Sequence, residues 1–160
     1  VASSEKETTV SDFTYLKESS VEQATAWLDM PHVRNRPRLK LRPLTIDNRE
    51  WFEHALAVAQ GDAVQAMAGA AKSYAGIAEA SLANAGHVSK FCLVDWEGVV
   101  DAEGKLVPFT PEEGAAFLKS IAQQASWMIH GRIMPFVNNA ANFVREYERT
   151  IDERAVAKNS

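Results

Sequence analysis

Apolar and polar positions alternate most clearly over residues 33–42. Arg34, Arg36, Arg38, Lys40 and Arg42 occupy every second place, and Val33, Leu39 and Leu41 point the other way. A period of two predicts an extended segment. Pro37 lies inside it and has no N–H for a sheet ladder, which assigns the segment to an edge strand or an extended arm. Elsewhere the apolar residues recur mostly at three- and four-residue steps, the period of a helix. Trp51, Phe52, Ala55, Leu56 and Ala59 form the stripe of a helix over 45–59, with Thr45 as its cap and Asp47 in its first turn. Val64, Met67, Ala71, Tyr74, Ala78 and Leu82 predict an alanine-rich helix over 63–85 that Gly86 stops.

The C-terminal half continues in the same way. Thr110 as N-cap, Pro111 at the first helical position and Glu113 three residues after the cap open a helix over 111–124, with Ala115, Phe117, Leu118 and Ile121 inward. A last helix over 136–157 carries Phe136, Val137, Ala140, Phe143, Val144, Tyr147 and Ile151, and sets Arg149 four residues before Glu153. Short helices are expected from Ser20 through Leu28, stopped by Pro31, and from Trp127 to Met134, before a break or kink at Pro135. Residues 90–96 and 106–109, on either side of a turn at 101–104, predict a small hairpin. These elements predict a mainly α fold: a compact helical domain over 20–160 with a minor β hairpin and an extended basic N-terminal arm, preceded by a flexible segment over 1–19. A chain of 160 residues suits one domain, and 46% hydrophobic residues suffice for a core.

Charge and chemistry refine this picture. The net charge of -4 argues against a chain-wide attraction to nucleic acid, so any such binding must be local. The basic stretch leaves three readings open. It is a salt-sensitive phosphate grip, an edge for a protein partner or a second copy whose acid-rich 95–113 segment would complement it, or the wet face of a strand. The lack of interleaved aromatics weighs against the first. The stripe Phe143, Tyr147 and Ile151 is either intramolecular core or a surface for a partner helix.

No glycine-rich phosphate loop or nucleophile elbow occurs. His32, His54, His87 and His130 are scattered, and Cys92 sits in an apolar run as a small buried hydrophobe. No residue therefore receives a catalytic, cofactor-binding or metal-binding role, and the chain is not expected to be an enzyme. No stretch has the uncharged length to cross a bilayer, and the N-terminus lacks a signal pattern, so a cytoplasmic protein is expected.

The run LVDWEGVVDAEGKLVPFTPEEGAAFL, 93–118, resembles the tail assembly chaperones of tailed bacteriophages. Trp96, Gly98, Val99, Asp101, Gly104, Val107, Pro108, Phe109 and Thr110 match that family's succession of apolar strand, W-x-G-[IV], aspartate–glycine turn, V-P-[FY]-[ST] and capped helix. KLRPLT at 40–45 and the closing NFVREYERTIDERAVAKNS are similar to its helix entry and last helix. The resemblance implies a non-enzymatic protein without a cofactor. It would bind the tape measure protein and keep it soluble while tail-tube subunits polymerise, in the cytoplasm of the infected bacterium, and be absent from the finished virion. The alternatives are a structural tail or tube subunit, and a small phage protein that binds nucleic acid or a host protein through 34–42.

Overall fold

A computed structural model of the chain describes residues 9–13, 24–45, 48–59 and 74–159. The alternation in the basic stretch does make a strand, but a short one at the centre of a sheet. β2 (Arg38–Leu41) lies between β1 (Ala26–Asp29) and β3 (Leu93–Glu97), antiparallel to both. Leu39 and Leu41 are fully buried, and Arg38 and Lys40 lie on the other face. Leu39 stands opposite Leu28 and Trp96, Lys40 opposite Trp27 and Asp95, and Arg38 opposite Asp29 and Glu97. One face of the sheet is thus apolar, and the other reads acid–base–acid at the Arg38 rung and aromatic–base–acid at the Lys40 rung. Pro37 precedes the first rung, so its missing N–H costs the ladder nothing, and its carbonyl accepts the Met30 N–H at 2.8 Å.

The expectation of a mainly α domain with a minor β hairpin and an extended basic arm is therefore corrected to an α+β arrangement. Trp27 and Leu28, expected in a helix, are in β1. Arg34 and Arg36 leave the alternation, because 31–36 is the loop of the β1–β2 hairpin and Asn35 and Arg36 take φ of 69° and 45° there. Residues 93–97 pair with β2 rather than with 106–109, which contribute only the bridge Val100 to Leu106. The expected boundary at residue 19 lies outside the described residues.

Five helices follow among the described residues. α1 (Arg49–Ala59) is capped by Asn48 and not by Thr45. Asn48 has no accessible surface; its Oδ1 accepts the Trp51 N–H at 3.3 Å, and its Nδ2 donates to the Pro43 and Phe91 carbonyls at 2.8 Å each. A single amide so ties the exit of β2, the start of α1 and the end of α2 (Tyr74–Phe91). Residues 63–73 of the expected alanine-rich helix lie outside the described residues. α2 runs past Gly86 because Ala85, Val88 and Phe91 are buried, which outweighs the cost of one glycine, about 1 kcal/mol.

α3 (Pro111–Gln124) begins as the sequence predicts, with Thr110 Oγ1 accepting the Glu113 N–H at 3.1 Å. It buries Gly114, Leu118 and Ala122, while Ala115 faces outward. α4 (126–137) consists of Ser126–Met128, a π-helical turn Ile129–Ile133, and Met134–Val137. It continues through Pro135, and a widened turn immediately before a proline absorbs the ring and the missing donor. Phe136 and Val137 accordingly close α4, and the last helix, α5 (Ala140–Asn159), starts after them. Helices α2, α3 and α4 cover the apolar face of the sheet, with Leu39, Leu41, Val88, Leu118, Ile129 and Ile133 at the centre of the cluster. Cys92 is also in this core, where burial pushes its thiol up to about 12.

Replacing Asn48 with alanine leaves two buried carbonyls without a donor and α1 without its cap. We expect a loss of about 2–3 kcal/mol, read from the urea midpoint at unchanged slope. Asn48→Asp, which keeps the acceptor but loses both donors, is expected to be no more stable than the alanine variant.

α1 meets α2 through rings: Trp51 and His87 at 4.9 Å, His54 and His87 at 5.5 Å, and His54 and Phe91 at 5.1 Å between centroids. Burial holds His87 below its usual value of 6.5, with His54 and Lys90 acting in the same direction. The unfolded chain therefore binds the proton more readily than the folded one. The stability is complete above about pH 6.5 and falls as the pH drops below it. Urea midpoints at about pH 7.5 and about pH 5.5 should differ in that direction, and His87→Phe should narrow the difference.

Candidate partner-binding cleft

The residues that carry the chaperone resemblance form a brace. Trp96 Nε1–H donates to the Val107 carbonyl at 2.8 Å, and its ring meets Phe109 and Phe117 edge-on at 5.2 and 5.4 Å. Asp101 Oδ1 accepts the N–H groups of Glu103 and Lys105 at 2.9 Å each and closes the turn. Gly104 has φ 81°, and a Cβ there would lie 3.0 Å from Arg34 Nη2. Phe109 covers Gly114 so closely that a Cβ on Gly114 would stand 2.9 Å from its ring. Thr110 caps α3, and Pro108 is exposed just ahead of it.

Two members of the 34–36 loop lock onto this brace. Arg34 Nη1 donates to the Ala102 carbonyl at 3.1 Å, and Asn35 Nδ2 to the Gly98 carbonyl at 2.9 Å. The acid-rich segment thus meets the basic stretch within one chain, also through Arg38 and Glu97 at 3.8 Å. Arg36 is exposed in the loop. Arg42 donates its backbone N–H to the Cys92 carbonyl at 2.8 Å, and its buried Nε has no hydrogen-bond partner among the described residues. The five basic residues are therefore not one surface.

Arg38 and Lys40 instead face the last helix. Between them and α5 stands Trp27, half-buried, with Arg38 Cζ 4.9 Å and Lys40 Nζ 5.8 Å from its ring centroid. A hollow of about 510 Å³ on one side of Trp27 is lined by Thr25, Lys40, Tyr147, Ile151 and Arg154. A second, of about 380 Å³, is lined by Arg38, Phe136, Asn142, Arg145 and Arg149. The structure so brings together Arg38, Lys40, Tyr147 and Ile151, and leaves Arg34, Arg36 and Arg42 elsewhere. Phe143 has no accessible surface; it packs with Ala24, Ala26 and Phe136 and anchors α5 beside β1. Beyond Tyr147 the apolar stripe loses its cover, and Ile151 is 44% exposed.

The cleft is basic on a chain whose net charge is -4. Arg38, Lys40, Arg145, Arg149 and Arg154 line it, against one carboxylate, Glu146. Arg38 pairs with Asp29 at 3.0 Å, and Arg149 pairs with Glu146 and Glu153. The Arg149 hydrogen bond holds the Glu146 carboxyl below the usual carboxylate range. Lys40, Arg145 and Arg154 have no ion pair among the described residues.

Sequence reasoning missed Trp27, which it placed in a helix. It also missed Arg132, whose Nε and Nη2 donate to the Asp29 carbonyl at 2.8 and 2.6 Å and close the end of β1. The available signal was the pairing of Trp27 and Asp29 with Lys40 and Arg38 across the Pro31 turn. Ser81 Oγ lies 2.5 Å from His130 Nε2, but Ser81 is fully buried, so the pair acts as a latch between α2 and the π turn of α4. No cluster of three or more histidine, cysteine, aspartate or glutamate side chains suited to a metal ion occurs among the described residues. No described helix is long and apolar enough to cross a membrane.

The two ends of the α5 stripe should separate on truncation. Phe143→Ala is expected to cost about 3–5 kcal/mol, as for a buried phenylalanine. Ile151→Ala should stay within about 0.5 kcal/mol by chemical denaturation, as an exposed position.

A family model described as YdaY prophage protein matches residues 50–158. The matched span takes in α2, β3, the brace, α3, α4 and almost all of α1 and α5, and it leaves out β1 and β2, which carry Trp27, Arg38 and Lys40. No curated protein and no solved structure matches the chain. With more than half of its length matched, the chain belongs to the YdaY prophage protein family.

Proposed function

We propose that this prophage protein is a non-enzymatic tail assembly chaperone that binds the tape measure protein and keeps it soluble while the tail tube forms. One observation carries the reading. The apolar stripe of α5 is anchored in the core at Phe143 and continues through Tyr147 to the exposed Ile151, beside a cleft that also holds Trp27. Such a partly covered stripe suits reversible contact with a client helix. At roughly 25 cal/mol per Å² of apolar area, a cleft of this size gives only a weak contact singly once the ordering costs of association are met. Several copies along a long client would then add avidity, and tube subunits would displace them one contact at a time. The protein would act in the bacterial cytoplasm, without a cofactor, and would not remain in the virion.

The test is co-expression with the tape measure protein of the same prophage, followed by pull-down and light scattering. The expected result is a soluble complex, and an aggregated tape measure protein when this chain is left out. A tape measure protein equally soluble without it would overturn the proposal. Recovery of this chain as a stoichiometric part of purified particles would assign it instead to the tail or tube.

A further inference from the structure

We propose that the Trp27 cleft takes an acidic amphipathic helix of a protein partner, with apolar side chains over Trp27, Tyr147 and Ile151 and carboxylates on Lys40, Arg145 and Arg154. This deepens the chaperone reading, on which it rests only in taking the partner to be a protein.

Three observations converge on that occupant. First, two residues of the cleft continue a packed stripe: Tyr147 follows the buried Phe143 by one turn, and Ile151 follows by another. A helix that projects apolar residues every three or four positions extends this stripe in register. Second, the cations divide into two kinds. Arg38 and Arg149 are held by carboxylates of the same chain. Lys40, Arg145 and Arg154 line the same cleft without an ion pair among the described residues, so the charge left to satisfy is positive and sits at separate points. Carboxylates on one side of an amphipathic helix meet separate points.

Third, the same pattern disfavours a nucleic acid. Beside Glu146 in the lining, Asp29, Glu97 and Glu153 flank the cleft as ion-pair partners of Arg38 and Arg149. A backbone with a charge on every nucleotide would run across them. Trp27 is half-buried with Arg38 and Lys40 already beside its ring, which limits it as a base-stacking platform.

The probe is a synthetic helical peptide of leucine and glutamate with leucines at helical spacing, compared with its lysine-for-glutamate counterpart and a single-stranded oligothymidine. Binding to the full chain is followed by calorimetry and by the indole N–H resonance of Trp27. The glutamate peptide is expected to bind, to move that resonance, and to weaken as salt is raised. Arg145→Glu/Arg154→Glu, at two exposed positions of α5, should weaken it at least about tenfold while leaving the thermal unfolding of the chain intact. Equal binding of the lysine peptide, no effect of the double substitution, or preferential binding of the oligothymidine at Trp27 would each overturn the inference. The two proposals separate cleanly. A tape measure complex that survives the double substitution removes the cleft and keeps the chaperone, whereas peptide binding without tape measure rescue does the reverse.

Discussion

The four residues of β2 have to satisfy two opposite environments at once, and most of the structure follows from how they do it. Leu39 and Leu41 have no accessible surface, while Arg38 and Lys40, before and between them, lie on the other face. A slip of one residue would drive a guanidinium and an ammonium into the core and put two leucines in water. The register is therefore fixed, and with it the positions of both neighbours. β1 must offer Leu28 to Leu39 and Asp29 to Arg38, and β3 must offer Trp96 and Glu97 to the same two residues.

The charged face adds little to stability by itself. Arg38 and its two carboxylates are about half or more exposed, and such pairs contribute between roughly 0 and 1 kcal/mol. Its effect is on arrangement. Opposite charges across the strands oppose the shifted pairings that four-residue strands would otherwise tolerate. They also hold Arg38 beside Trp27, which stands as the ridge between the two hollows. The same fixed register that buries the leucines thus sets the basic wall of the cleft.

How much was legible in the sequence depended on how local the cause was. Thr110, Pro111 and Glu113 specify the start of α3 within four residues, and α3 begins there. The Arg149–Glu153 pair is equally local and is present. The sheet was misjudged because its strands are four or five residues long and its pairing is distant: β2 meets β3 across more than fifty residues. Pro37 suggested an edge strand, yet it sits one residue before the ladder, where its missing donor has no consequence. Gly86 suggested a helix end, but burial of Val88 and Phe91 carries α2 through it. Thr45 is a reasonable cap, but Asn48 satisfies two distant carbonyls as well as α1, which no local signal reveals. For the cleft, the sequence held the right ingredients in separate pieces: Arg38 and Lys40 in one, Tyr147 and Ile151 in another.

The division between brace and cleft bears on what the family resemblance can mean. Trp96, Gly98, Asp101, Gly104, Phe109 and Thr110 hold β3, the β1–β2 loop and α3 to one another through hydrogen bonds and close ring contacts. The side chains of Trp96, Asp101, Phe109 and Thr110 are occupied in doing so, and Gly98 and Gly104 have none, which leaves the set little to offer a partner. A likeness carried by these residues is a likeness of framework. Under the proposed function, specificity would come from positions that the framework presents and does not consume. On this chain those are Trp27 and Lys40 from the sheet, outside the matched span, and Arg145, Ile151 and Arg154 from α5, inside it. Under the proposed function, a helix inside the family match facing a hairpin outside it would give one framework a way to take different clients, with the anchored stripe as the shared contact and the sheet face beside it as the part that differs.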